Sequence, residues 1–152
     1  VGDFSAGHKY TLLQTGPVRA GVFICIESAY PSIARTFTRE GADVLINISN
    51  DGYLGPTAVM RQHLANAIFR AVENGRPLLR VTNSGISAYI SASGEVENET
   101  GSFQTAVRTW KVSAGDRRRT FYSNYGDLFP ALAGMTTLLC FVLTLIKVKS
   151  RG

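Results

Sequence analysis

The first fifty residues alternate between short apolar runs and one amphipathic stretch, as in a layered α/β domain. An apolar run over residues 18–26 predicts a buried strand, and residues 32–39 predict a short helix that stops at Gly41. Residues 42–49 predict a second strand, of the kind buried on both faces. The segment before them, residues 1–15, is a polar approach to the first strand.

The longest helical pattern covers residues 57–74, where apolar positions recur at nearly 3.6 residues per turn. Gly75 ends this helix, and Pro77 lies just beyond it. Three further strands are predicted over residues 78–82, 86–91 and 105–112, with a turn at 93–95. The resulting order β-α-β-α-β-β-β predicts the fold class α/β.

The apolar run over residues 128–146 contains no charged side chain. As a helix it would be about 28 Å long, close to the thickness of a bilayer core. A buried core helix is the alternative, but few soluble helices are apolar on every face. We therefore predict a domain over residues 1–112, a linker over 113–127, a transmembrane helix over 128–147 and a basic tail over 148–152.

The net charge of +5 comes largely from basic residues on both sides of that apolar run, at Arg117, Arg118, Arg119, Lys147, Lys149 and Arg151. Basic flanks suit anionic lipid headgroups, and no basic stripe with interleaved aromatics indicates nucleic-acid binding. Three basic residues on each side leave the orientation open, although the tight cluster at Lys147 favours a cytoplasmic C-terminus. The first residue is Val1, not Met, which suggests that the sequence begins within a longer protein.

Cys25 is the candidate nucleophile, because it lies where a buried strand ends and a helix soon begins. Exposed backbone N–H groups and the positive end of a helix favour a thiolate and can bind an oxyanion. A core cysteine is the alternative. Cys140 lies in the apolar run, so no disulfide is expected, and no His/Cys cluster indicates a metal. His8 and His63 lack a partner motif and are expected at the surface or in the core.

Several motifs, taken in order, resemble the nitrilase (carbon–nitrogen hydrolase) superfamily. They are the Cys25-Ile26-Glu27 elbow, the loop 49–55, the helix with His63 and Arg70, and the segments 75–85 and 120–127. Within the superfamily, the segments 75–85 and 120–127 before an apolar span are most similar to the apolipoprotein N-acyltransferase family. The resemblance covers essentially the whole chain.

This resemblance implies the C-terminal part of an αββα sandwich on the periplasmic side of the bacterial inner membrane. It also implies a Glu–Lys–Cys triad in which Cys25 is the nucleophile. The family's glutamate and lysine lie farther from the cysteine than the twenty-four residues that precede Cys25 here. Lys9 is too close and lacks the expected flanking sequence, so this stretch alone is expected to be inactive.

The resemblance assigns further residues around Cys25. Glu27 is a supporting carboxylate that orients the site or binds the incoming amine, with an ion pair to Arg80 or Arg70 as the alternative. The backbone N–H of Ile26 is an oxyanion donor. Tyr53 and Leu54, at an apolar loop tip, are candidate substrate-binding residues, with an ordinary exposed loop as the alternative. Arg80, like Arg70 and Arg76, is a candidate ligand of a phosphate headgroup, and the resemblance offers an ion pair with a core carboxylate as the alternative. Asn50 and Asp51 are expected to be structural, since Asx side chains satisfy turn backbone.

The activity implied by the resemblance moves an acyl chain from a phospholipid, through a Cys25 thioester, to the N-terminal amine of a diacylglyceryl-cysteine lipoprotein. It needs no metal and no organic cofactor. Two alternatives remain open: a membrane-tethered nitrilase-type amidase, and a truncated, non-catalytic remnant. Half of a layered sandwich would also leave an apolar sheet face uncovered, so that the fragment aggregates or needs a partner.

Overall fold

A computed structural model of the chain describes residues 5, 7–112 and 117–149. Its six strands form one mixed sheet, in the same order in space as along the chain. The strands are β1 (Leu12–Thr15), β2 (Val18–Ile24), β3 (Val44–Ser49), β4 (Leu78–Thr82), β5 (Ala88–Ile90) and β6 (Val96–Glu97). The central strands β2, β3 and β4 are parallel, and the other pairs are antiparallel.

Two helices connect the parallel strands and pack against each other: α1 (Pro31–Glu40) and α2 (Ala58–Asn74). Both end at a glycine in the left-handed region, Gly41 with φ 102° and Gly75 with φ 59°, as their sequence predicts. Both helices lie on one face of the sheet, where α1 packs against β2 and α2 packs against β4. The core lies between this face and the helices, and it contains Phe23, Phe37, Leu45, Leu64, Ala67, Leu78 and Ile90.

On the opposite face, the part of the sheet near the carboxyl ends of the parallel strands is apolar and open to solvent, whereas Ala20 and Val44 on that face are buried. Ile24, Ile48 and Val81 are adjacent across β2, β3 and β4, and they are 63%, 50% and 43% exposed. We call these three residues the open sheet face. The chain thus supplies one helical layer and one sheet layer, as expected for part of an αββα sandwich.

Two further helices follow the sheet. The five-residue α3 (Phe121–Tyr125) begins at Thr120, whose hydroxyl accepts the Ser123 N–H, and it lies inside the predicted linker. Arg35 of α1 holds it to the domain by donating to the carbonyl oxygens of Tyr122, Ser123 and Asn124. The last helix, α4 (Leu128–Lys149), has a mean hydropathy of 2.1 and no buried residue. It is long and apolar enough to cross a membrane.

Some boundaries differ from the sequence prediction. The strand predicted over residues 18–26 is β2 and ends at Ile24, and Cys25 begins a 3-10 helix, Cys25–Ala29. β1 was not predicted. It is an edge strand whose residues are mostly exposed, so its sequence lacks the apolar pattern that indicates a strand. The strand predicted over 105–112 is wrong: these residues are irregular, because β6 occupies the sheet edge beside β5. Residues 1–4 and 6 of the predicted polar approach, linker residues 113–116 and tail residues 150–152 lie outside the described part.

Candidate active site

Cys25 lies on a sharp elbow between β2 and the 3-10 helix Cys25–Ala29, with α1 starting just beyond. Its φ is 51°, a left-handed conformation that costs a non-glycine residue energy and must be held by its surroundings. Two contacts hold the elbow. Glu27 accepts the backbone N–H of Ile24 at 2.6 Å, and the Asn47 amide donates to the carbonyl oxygen of Cys25 at 3.3 Å.

Hydrogen bonds surround the Cys25 thiol. Burial alone raises its pKa, but hydrogen bonds from the Tyr53 hydroxyl and from the backbone N–H groups of Ile26 and Asn50 oppose burial, and the pKa is lowered on balance. The Tyr53 hydroxyl lies 3.8 Å from Sγ. A lowered pKa increases the fraction of thiolate, which is the nucleophilic form. The environment of Cys25 is therefore that of a reactive thiol.

Beneath the elbow lies a buried polar network centred on Asp51. Its Oδ1 accepts from Ser49 Oγ at 2.5 Å and lies 3.1 Å from His63 Nδ1. Its Oδ2 accepts from Arg80 Nη2 at 2.8 Å. Burial raises the pKa of Asp51, but these three partners together lower it, so the carboxylate stays ionised. Gly85 must lack a side chain here, because a Cβ would stand 2.1 Å from Oδ2.

The structure brings most of the predicted site residues to the carboxyl ends of the parallel strands. Cys25, Ile26 and Glu27 are consecutive on the elbow, while Tyr53 and Leu54 lie in a second 3-10 helix, Gly52–Leu54, after β3. The Tyr53 side chain is 71% exposed and Leu54 is half-buried. Asn50 and Asp51 serve the loop as expected, since Asn50 Oδ1 accepts the Gly52 N–H.

Arg80 does not lie where a headgroup ligand should. Its guanidinium is fully buried and donates to Asn47 and Asp51, so its role is internal to the fold. The alternative for Glu27 is also wrong: Arg80 pairs with Asp51 and Arg70 with Glu73, while Glu27 binds backbone. His63 is a core residue, the second of its two expected settings.

Sequence reasoning missed Asn47 and Ser49. Both are polar and buried on an otherwise apolar strand, and this interruption is the signal that could have identified them. Cys25 and Cys140 are free thiols. Among the residues that the structure describes, no group of three or more His, Cys, Asp and Glu side chains is placed to hold a metal ion.

A sheet with a cysteine elbow at the carboxyl ends of its parallel strands agrees with the family match. The model of the carbon-nitrogen hydrolase family matches residues 3–122. The chain therefore belongs to the carbon-nitrogen hydrolase family, and the resemblance found in its sequence is confirmed.

Curated relatives indicate which branch of the family the chain resembles, because they are named apolipoprotein N-acyltransferases. The protein of that name from Geobacter metallireducens is 40% identical over 129 residues, which are 85% of this chain and 25% of that protein. Apolipoprotein N-acyltransferase 1 from Treponema denticola is 33% identical over 140 residues, which are 90% of this chain and 26% of that protein. The chain thus spans about a quarter of these relatives.

Solved structures confirm the fold. Nit3 from Saccharomyces cerevisiae, a member of branch 10 of the nitrilase superfamily, is 26% identical with a TM-score of 0.55, covering 66% of this chain and 40% of Nit3. A carbon-nitrogen hydrolase from Helicobacter pylori is 19% identical with a TM-score of 0.60, covering 67% of this chain and 43% of that protein. The predicted nitrilase-like α/β fold is therefore correct.

Proposed function

We propose that the chain is the nucleophile-bearing part of an apolipoprotein N-acyltransferase that transfers an acyl chain from a phospholipid to a lipoprotein. The observation that carries the proposal is the Cys25 elbow, where a thiol of lowered pKa meets the backbone N–H groups of Ile26 and Asn50. The relatives named for this activity match most of the chain.

The first half-reaction forms a thioester. The Cys25 thiolate attacks an ester carbonyl of the phospholipid, and the Ile26 N–H stabilises the oxyanion of the tetrahedral intermediate. Collapse of the intermediate breaks the ester C–O bond and releases the lysophospholipid, whose oxygen takes up the proton that the thiol lost. The general base that carries this proton would come from the longer protein, as would the family's lysine.

The second half-reaction forms an amide. The α-amine of a diacylglyceryl-cysteine lipoprotein attacks the thioester carbonyl and expels the Cys25 thiolate, and the proton that the amine loses passes through the general base back to the thiolate. Glu27 supports both halves by fixing the elbow through the Ile24 N–H, which its carboxylate binds. Tyr53 and Leu54 form the loop tip beside the thiol and contact the lipid substrate.

The apolar helix α4 would place this site at a membrane, where both lipid substrates are found. We assign α4 to the bacterial inner membrane and the sheet domain to its periplasmic side. Arg35 supports a fixed arrangement, because it ties α3, only two residues before α4, to the helix that follows the elbow. The domain is thereby anchored close to the bilayer surface.

To test the proposal, phospholipid and a diacylglyceryl lipopeptide are added to native membranes that contain the protein. The control is the same lipopeptide with an acetylated α-amine. We expect mass spectrometry to detect N-acylated lipopeptide, and we expect none with the acetylated control or with Cys25→Ala. Cys25-dependent release of free fatty acid without N-acylation would show that water and not the lipoprotein amine is the acceptor, as the hydrolase alternative requires. Equal activity of the Cys25→Ala variant would indicate a non-catalytic chain.

Residues 1–152 alone should form no N-acylated product in the same assay, because the triad glutamate and lysine have no counterpart before Cys25. Adding back the longer protein should restore the product. Acylation by the 152 residues alone would show that the expected triad is not required.

A further inference from the structure

A line of hydrogen bonds crosses three parallel strands directly beneath the nucleophile. Phe23 of β2, Asn47 of β3 and Arg80 of β4 are consecutive partners in the sheet register. The Asn47 Nδ2 donates to the carbonyl oxygens of Phe23 and Cys25, each at 3.3 Å. Asn47 therefore hydrogen-bonds to the backbone on both sides of Ile24, just where Cys25 adopts its left-handed conformation.

The orientation of this amide is set by Arg80. Its Nη1 donates to Asn47 Oδ1, so the Asn47 NH₂ group must face β2 and the elbow. Arg80 is in turn fixed by Asp51, which accepts from Nη2. Asn47, Arg80 and Asp51 are all fully buried, so each would lose a buried partner if the line were broken.

This line reaches the thiol from a second side. Asp51 accepts from Ser49, whose hydroxyl oxygen lies beside the Cys25 side chain. The charged groups around the elbow are Asp51 after β3, Arg80 on β4 and Arg70 on α2. The titratable side chains of Tyr53, against the thiol, and His63, against Asp51, complete this set. Glu27 faces it from its own 3-10 helix.

We propose that Asn47, oriented by Arg80 and Asp51, is a positioning residue that holds Cys25 in its left-handed conformation with its sulfur against the Ile26 and Asn50 N–H groups. It touches no substrate and acts through the backbone of the nucleophile. The inference rests on the proposed function only for the role of Cys25, and thiol chemistry tests it without acyl transfer.

The test measures alkylation of Cys25 by iodoacetamide from pH 6 to pH 10, in the full chain carrying Cys140→Ser so that one thiol remains. The variant is Asn47→Leu, which keeps the size of the side chain and removes both donors. The matched control is Asn74→Leu, because Asn74 is equally buried but donates to Arg70 O at the end of α2. Trp110 fluorescence monitors folding.

We expect Asn47→Leu to move the alkylation midpoint towards that of an ordinary thiol. The rate at pH 7 then falls about tenfold for each pH unit of the movement. Asn74→Leu should lose similar stability and leave the midpoint unchanged. Arg80→Lys keeps the charge but has no planar fork to hold Asn47 and Asp51 together, so it should move the midpoint in the same direction.

The proposal is overturned if both Asn47→Leu and Arg80→Lys keep the wild-type midpoint while their Trp110 fluorescence is native. It is also overturned if Asn74→Leu moves the midpoint as far as Asn47→Leu does, since the effect would then be general loosening. A moved midpoint in a protein that lacks acyltransferase activity would support the positioning role and refute the proposed function alone.

Discussion

Replacing Asp51 by Asn removes the charge that compensates a fully buried arginine. Asp51 and Arg80 are both 0% exposed, and their charged atoms are 2.8 Å apart. Removing one partner of such a pair costs about 3–5 kcal/mol. The asparagine can keep its oxygen towards Arg80 while Ser49 and His63 turn their acceptor atoms to its NH₂ group. We therefore expect the free energy of unfolding to fall by about 3 kcal/mol, at the lower end of this range.

The matched control is Asp43→Asn. Asp43 is also fully buried, and it binds Arg19 and Arg117. Their side chains are 35% and 62% exposed, so water can solvate both arginines when the charge is lost. This substitution should cost only about 1 kcal/mol.

The assay is urea unfolding of the full chain in detergent micelles, followed by the fluorescence of Trp110, the single tryptophan of the sequence. Its signal reports on the sheet domain and not on α4. We expect the free energy of unfolding of Asp51→Asn to lie about 2 kcal/mol below that of Asp43→Asn. Equal losses in the two variants would refute the reasoning that burial of the partner arginine sets the cost.

Three further predictions follow from the contacts described above. The pKa values of Asp43 and Asp51 are lowered in the folded state, so their stabilising effect is present above pH 4 and is lost as pH falls below about 4; a flat stability profile from pH 5 to pH 2.5 would contradict this. Arg35→Met should speed amide hydrogen exchange of residues 121–126 about tenfold, because three carbonyl oxygens lose a charged donor, whereas Arg61→Met, at an exposed pair with Glu99, should not. Ile48→Lys on the open sheet face should reduce self-association of the isolated chain in light scattering, and Val107→Lys, outside that face, should leave it unchanged.

The central fold could be predicted from the sequence because its signals are local. Gly41 and Gly75 end their helices, and the apolar runs of β2, β3 and β4 predict three strands, although Ile24, Ile48 and Val81 on one face are exposed. β1 could not be predicted, since an edge strand with exposed residues carries little hydrophobic pattern. The alternation of apolar and polar residues over 105–112 led to a wrong strand prediction. It reports side-chain periodicity, which does not show whether a neighbouring strand is free to pair.

The site was predictable in part. The Cys25 elbow followed from a strand that leads into a helix, and its motif matched a known family. The ion pair of Arg80 with a carboxylate was one of its two expected settings, and the structure decides for it by pairing Arg80 with Asp51. Asn47 was missed, because its role depends on contacts with β2 and β4, which are distant in sequence.

The measurement that tests the central claim most directly is the mass of Cys25-containing peptide from protein extracted from its own membranes. We predict a fatty-acyl adduct on Cys25 that neutral hydroxylamine removes, as it removes a thioester, and no such adduct on Cys140. The adduct should disappear when an excess of diacylglyceryl lipopeptide is added, because the amine consumes the thioester. An unmodified Cys25 thiol in membranes that contain phospholipid but no acceptor would contradict the proposed acyl-enzyme.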